Sequence, residues 1–451
     1  MKTVRNISLL IWIAIAGILT ACSDTLSPQV DIIQIESVSW ASNVTTSYIA
    51  FGSTIETEEL LDIKLPVSEG DLLYMIVDDL QFYHRYSPEN GTLLSVSFDT
   101  LNSVSAYLNG NLEYTELSGP SSLEAFSLLT DQEVNKLSTI HIQGPLSKDL
   151  LFALKQHETA LPGTGLVMEG GSGSQNFNEV LSICQPDLLV IDDSWVLPDP
   201  EESPELSNLE LLWIDDNVPA FSKLVNYCRN LETLIITYWE PEPGEVLPLS
   251  GLKKLQNLTI AESELTTLSG IEFPTSLHNL HMVSCDTLSD ISRLGEIHQL
   301  QRLALTLCNK VEKIDLLKEM NSLYWLSFPA NISHHEFTGL TERLTQLEVV
   351  ELIDCWEIND LAPLITLQKL NTLVLQLEKE QLTMIDSLDQ LKLPILTNEI
   401  FDDNPEWVKE LSSSLPNTTI VPGSGLCLGS GWLILLIPFI LFFRYLFRQK
   451  V

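Results

Sequence analysis

Thiols and carboxylates are the side chains through which this sequence could do chemistry. Cys285 and Cys308 stand 23 residues apart, and Cys355 follows. A nucleophilic thiol needs a partly exposed, electropositive setting. With 24 basic residues against 61 acidic ones, the chain offers little positive charge. Asp192–Asp193 and Asp215–Asp216 are also spaced by 23 residues. Four carboxylates brought together would repel one another, and either a calcium ion held through oxygen or plain solvation would relieve them; a solvated acidic rim is the expectation. His278 and His281 fall at opposite faces of one segment, and His334, His335 and Glu336 form a short run. Neither has the convergent spacing of a metal site. The serines of "GGSGS" lack the glycine two residues on that a nucleophile elbow requires. The expectation is no catalytic residue, no metal and no cofactor.

The elements that would position these residues are repeated. "LELLWIDDN" starts at Leu209, "LETLIITYW" at Leu231, "LQNLTIAES" at Leu255 and "LHNLHMVSC" at Leu277. "LQRLALTLC", "LYWLSFPAN", "LEVVELIDC" and "LNTLVLQLE" follow at Leu300, Leu323, Leu347 and Leu370. The starts step by 22 to 24 residues. In each copy the fourth and sixth positions alternate as in a strand and turn inward, and the third, fifth and seventh point the other way. A later apolar set, such as Ile358, Leu361 and Leu364, returns to the same core. One such turn cannot bury its apolar face alone, so neighbours must stack.

These copies of L-x-x-L-x-L-x-x-[NCS] resemble the leucine-rich repeat family. The second halves "LSDISRL" (288–294), "VEKIDLL" (311–317) and "INDLAPL" (358–364) resemble its internalin-like subclass. The resemblance implies an α/β solenoid, a leucine-rich repeat horseshoe of roughly 22–25-residue turns. Short strands would line its concave face, and 3₁₀-type or irregular segments the convex one. It also implies that the ninth residue points inward and bonds the turn. Cys285, Cys308 and Cys355 occupy that place, as Asn217 and Asn331 do in other copies. They are expected as a packing ladder, with a Cys285–Cys308 disulfide as the alternative. Cys184 and Cys228 are expected in the core.

Weaker copies start at Leu112, Leu137, Leu161 and Pro186, and, towards the C-terminus, at Leu393 and Leu415. The solenoid is expected over 106–423. Residues 23–105 read as a β-rich N-terminal cap or small domain, with turns at "PVSEGD" and "SPENG". Two interruptions of the solenoid stand out: "EGGSGSQN" (169–176), expected to be flexible, and the acidic, proline-stiffened "PDPEESPE" (198–205).

Both ends speak of membranes. Lys2 and Arg5 precede an apolar run from Ile7 to Leu19, too short for a comfortable span and suited to a cleaved signal. "LTAC" (19–22) resembles the bacterial lipobox, which implies that residues 1–22 are a lipoprotein signal and that Cys22 carries lipid. No aspartate directly follows Cys22, which in enteric-type bacteria favours the outer membrane. At the other end, 424–451 combines small residues, an apolar stretch from Leu426 to Phe443, and basic Arg444, Arg448 and Lys450. This layout loosely resembles C-terminal sorting signals of Gram-negative bacteria, and we expect the tail to be removed during sorting. Residues 432–451 still present in an intact mass of the mature protein would contradict that. The expected location is the cell envelope, membrane-anchored, at the outer membrane or surface.

The net charge is −37, and near −42 once the five basic residues of the two ends are set aside. Phosphate binding needs clustered Lys and Arg, so nucleic acid is not the expected partner; an unidentified protein or peptide of basic charge is. The surface for it is the concave face, whose middle column reads Val190, Trp213, Ile235, Thr259, His281, Ala304, Ser327, Glu351, Val374. The candidate binding residues are Trp213, Asp215, Asp216, Thr237, Tyr238, His281, Arg302, Trp325 and Glu351, with the three aromatics expected to face solvent as anchors. The alternatives are a carbohydrate or cell-wall adhesin that stacks sugars on those aromatics, and an enzymatic activity within 23–105.

Overall fold

The computed structural model describes residues 111–171, 176–195, 204–216, 218, 221–225, 227–242 and 244–423, with the backbone of seven strands between residues 31 and 108. The 1–22 signal, lipidated Cys22, the apolar segment within 424–451 and the side chains of 23–105 lie outside the described residues. So does most of the acidic loop 198–205. Among the described residues, no helix is long and apolar enough to cross a membrane.

The seven N-terminal strands are β1 (Asp31–Ser39), β2 (Val44–Tyr48), β3 (Ile63–Val67), β4 (Leu72–Val77), β5 (Leu80–Arg85), β6 (Leu93–Phe98) and β7 (Ser105–Leu108). β2, β4 and β5 form an antiparallel trio. β1 pairs with β3 and β6, and β6 with β7. β7 turns back into β8 (Asn111–Leu117), which opens a parallel ladder.

That ladder continues through β9 (Thr139–Gln143), β10 (Gly165–Glu169), β11 (Leu188–Ile191), β12 (Leu211–Ile214), β13 (Thr233–Thr237), β14 (Asn257–Ala261) and β15 (Asn279–Val283). It ends with β16 (Arg302–Ala304), β17 (Trp325–Ser327), β18 (Val349–Ile353), β19 (Thr372–Gln376), β20 (Leu393–Thr397) and β21 (Val421–Gly423). Successive turns are stitched just before each strand by one repeated backbone bond. Glu232 N–H donates to Glu210, Gln256 to Glu232, His278 to Gln256 and Gln301 to His278, at 2.7–2.9 Å. The inward leucines of all turns join one continuous core, with Leu212, Leu234, Leu258, Leu280, Leu326 and Leu373 fully buried. Each contributes about 1.5–3 kcal/mol by leaving water.

The register matches the repeat, with three corrections. Leu393 pairs with Thr372, a third-position residue, so that unit starts at Leu391. By the same reasoning the last unit starts at Asn417 and the one expected at Leu161 starts at Gly163. Every slip is two residues, which leaves the same side chains facing inward. The convex side is also more helical than expected. α-Helices Pro120–Ser127, Lys148–Gln156, Phe177–Cys184 and His334–Thr341 stand beside short 3₁₀ turns such as Ser292–Glu296 and Ala362–Thr366. Lys148–Gln156 bridges the 26 residues from Thr139 to Gly165, enough chain for full helical turns. Ser333 and Glu336 form a capping box that starts His334–Thr341, which places His334 and His335 on a helix.

What ends six of the strands is a left-handed residue at the eighth position: Asp216, Tyr238, Glu262, Ser284, Leu307 and Asp354, with φ between 51° and 71°. It swings the chain so that the ninth residue points into the core. Non-glycine residues pay about 1–2 kcal/mol for this conformation. Ser284→Gly is therefore expected to raise stability by about 0.5–1 kcal/mol, read as an upward shift of the thermal midpoint.

Candidate functional site

The ninth-position thiols come first. Cys285, Cys308 and Cys355 are fully buried free thiols, as are Cys184 and Cys228. Cys285 Sγ donates to the Ile260 carbonyl at 3.5 Å, Cys308 Sγ to Met282 at 3.5 Å, and Cys355 Sγ to Pro329 at 3.6 Å. Each thus ties its turn to the preceding one. Burial pushes the Cys184 and Cys228 thiols up to about 12 and raises Cys308 and Cys355 as well. A thiol so protonated is a poor nucleophile.

The concave face is built by the outward residues of the ladder. Pairing sets Val190 beside Trp213, Trp213 beside Ile235, Ile235 beside Thr259 and Thr259 beside His281. His281 meets Ala304, Ala304 meets Ser327, Ser327 meets Glu351 and Glu351 meets Val374. Arg302 and Trp325 adjoin in the third-position column. The face brings together the residues that sequence spacing singled out.

Their exposure differs from expectation. Trp213 is 4% exposed, Trp325 1% and Glu351 0%, so these side chains do not face solvent. Arg302, His281 and Thr237 are buried too, Tyr238 and Asp215 are half-buried, and Asp216 alone of the nine is exposed. Lateral neighbours about 4.8 Å away screen the sides of such residues, not their tops. Near-zero exposure on the outward side of a single sheet therefore requires atoms above it.

Three zones lie along the face. At the N-terminal side, Val167, Leu188, Val190, Leu211, Trp213 and Ile235 form an apolar cluster. In the middle, Asn279 donates to Asn257 at 2.6 Å and Asn257 to Thr233 at 2.9 Å, an amide ladder leading towards Arg302. The Arg302 guanidinium lies 4.2 Å from the centre of the Trp325 ring, and Trp325 Nε1 donates to Glu351 Oε1 at 3.0 Å. The indole thus stands between the buried Arg302 guanidinium on its face and the buried Glu351 carboxyl at its edge. Burial and the Arg302 charge hold His281 well below the usual imidazole range, hence neutral at pH 7. Towards the C-terminal side, Tyr324, Trp325 and Val349 make a second apolar cluster.

One rim of the N-terminal zone is acidic. Burial, followed by the charges of Glu169, Asp216 and Asp192, pushes the Asp215 carboxyl up to about 6, against the Thr237 hydroxyl that donates to it at 2.6 Å. Burial raises Asp193 and the Tyr238 phenol as well, with further repulsion from Asp216 in both and from Glu262 at Tyr238. Among the described residues, no group of three or more His, Cys, Asp or Glu side chains is placed to hold a metal ion. The folded state binds the Asp215 proton more tightly than the unfolded chain, so stability falls as pH rises through about 6. Asp215→Asn is expected to stabilise the fold by about 1–2 kcal/mol above that pH and to change nothing below about pH 4, as urea titrations at the two pH values would read.

Other residues escaped the sequence reading. Among the described residues, Phe152, 66% exposed, and Trp356, 60% exposed, present their rings to water, neither on the concave face. The "EGGSGSQN" loop begins in a fixed conformation: Gly170 is left-handed and Gly171 lies against the Trp195 ring.

Parallel strands at a 21–26-residue repeat, an often left-handed eighth residue and an inward ninth decide the architecture. The fold is a leucine-rich repeat horseshoe. No family model matches the chain, and no curated protein matches it. Among solved structures, it is similar to an internalin of Listeria monocytogenes, at 18% identity and a TM-score of 0.37, over 65% of this chain and 88% of that one. Internalin C2 of the same organism gives 22% and 0.33, over 43% and 83%. Toll, in the Drosophila Toll–Spatzle complex, gives 11% and 0.38, over 79% and 46%.

Proposed function

We propose that this leucine-rich repeat protein binds a protein or peptide along its concave face, held at the cell envelope through Cys22. The observation that carries the reading is the burial of outward-facing Trp213, Trp325 and Glu351, which marks a face made to lie under other atoms. Its apolar zones suit an apolar stretch, and its acidic rim suits a basic one. Binding rather than catalysis fits the protonated buried thiols and the acidic balance, which also disfavours nucleic acid.

A peptide array varied in apolar content and charge, probed with the folded protein at low and high salt, tests the reading. Enrichment of apolar–basic peptides, weakened by salt and lost in Ile235→Asp, is expected. A blank array, or selection indifferent to basic residues and salt, would count against it.

A further inference from the structure

Two of the buried thiols are neighbours. The ladder pairs Asn279 with Arg302, and Cys285 and Cys308 each follow that pair by the same six residues. The two turns are still joined just before the cysteines, where Ser284 N–H donates to the Thr306 carbonyl at 2.9 Å. Adjacent turns stand about 4.8 Å apart, inside the Cα range of a disulfide, roughly 4.4–6.8 Å.

The side chains also run the same way. Cys285 Sγ donates to the Ile260 carbonyl and Cys308 Sγ to the equivalent Met282 carbonyl, each on the preceding turn. Cys285 Sγ lies 3.6 Å from the Val283 carbonyl as well, the next along the chain from Met282. The two sulfurs are thus held over consecutive carbonyls of one strand, β15. We infer that Cys285 and Cys308 join in a disulfide as the chain folds, a covalent staple between two turns in the middle of the ladder.

The other described cysteines lack such a partner on the next turn. The ninth positions that flank the pair hold Ser263 and Asn331, and Cys355 stands two turns beyond Cys308. Cys184 and Cys228 precede their strands.

Folding is the moment for the reaction. In the folded chain both thiols are fully buried. Burial, then the adjacent Cys285 thiol, hold Cys308 well above the usual thiol range. A thiol so placed is slow to react, whereas in the unfolded chain it ionises at about pH 8.5. The oxidant is a donor disulfide, carried by a small molecule or by a thiol–disulfide oxidoreductase. The Cys285 thiolate attacks one donor sulfur and expels the other as a thiolate. The Cys308 thiolate then attacks the Cys285 sulfur of the mixed disulfide and expels the second donor thiolate. Two protein thiols lose two protons and two electrons, and the donor gains both. Once the core closes, the bond is as shielded from reductants as the thiols are from oxidants.

The staple falls at a short join. β14 and β15 pair over five residues, β15 and β16 over three. It fixes the spacing of the turns that carry His281 and Arg302.

The test unfolds and reduces the full chain, refolds it with oxidised glutathione, traps free thiols with N-ethylmaleimide in urea and maps the peptides by mass spectrometry. A Cys285–Cys308 link is expected in most molecules, with Cys184, Cys228 and Cys355 labelled. Labelled Cys285 and Cys308, or either joined mainly to another cysteine, would overturn the inference. Chain first refolded with its thiols reduced, then given the same oxidant, is expected to form the link at least about tenfold more slowly. Equal rates would overturn the assignment of the bond to folding. The linked chain is expected to melt about 5 °C above the reduced one, a difference absent in Cys308→Ser. No difference, or one that persists in Cys308→Ser, would overturn the staple.

Discussion

Trp325→Ala is expected to destabilise the protein by about 3–5 kcal/mol, more than a shortened outward-facing residue would on an open solenoid. The side chain is 1% exposed, so its loss leaves a cavity between Tyr324 and Val349. It also removes the ring face against which Arg302 lies at 4.2 Å and the N–H that Glu351 accepts at 3.0 Å. Trp325→Phe keeps much of the ring and loses the donor, which should cost about 1–3 kcal/mol. The charges flanking the indole should behave as a unit. Arg302→Met or Glu351→Leu alone is expected to cost about 3–5 kcal/mol, and the double variant less than the sum of the two. Urea unfolding of the four proteins closes the cycle; additive losses would show that the two charges do not sense one another.

Gly171→Ala carries the second large effect. A methyl group there would overlap the Trp195 ring, which is buried, donates from Nε1 to the Met168 carbonyl at 2.9 Å and packs against Phe177 with centroids 5.9 Å apart. The ring cannot retreat without breaking that bond or displacing the helix Phe177–Cys184. The expected cost is about 1–3 kcal/mol, seen as a lowered thermal midpoint. Gly295→Ala, where nothing lies within 4 Å, is the control and should stay within about 0.5 kcal/mol of the parent.

The same residues show what the sequence could convey. The spacing of Leu209, Leu212 and Ile214 specifies a strand and the side chain between its inward pair. Its eight clear copies and the weaker one at Pro186 placed Val190 through Val374 in one column, as the pairing has it. Where leucines thin out, at Leu393 and Leu415, period-two alternation reads equally well two residues away, and the starts slipped. Left-handed Asp216, Tyr238, Glu262, Ser284, Leu307 and Asp354 share no chemistry, so no residue type announces their backbone. Gly171 looked like part of a flexible run because its partner, Trp195, is 24 residues distant. Most consequential was Glu351. Alternation says that it points away from the core, which it does, but not what lies above it.

That cover is the central claim, and Ser327→Cys tests it most directly. Ser327 points outward in the middle of the concave column and is fully buried, and cysteine nearly matches its size. Thiol labelling of the native full chain, compared with Trp356→Cys on an exposed turn, would read the accessibility of the face. The account predicts that Cys at 327 reacts at least about a hundredfold more slowly and is released only on unfolding. Labelling at 327 as fast as at 356, in a protein that remains folded, would contradict it.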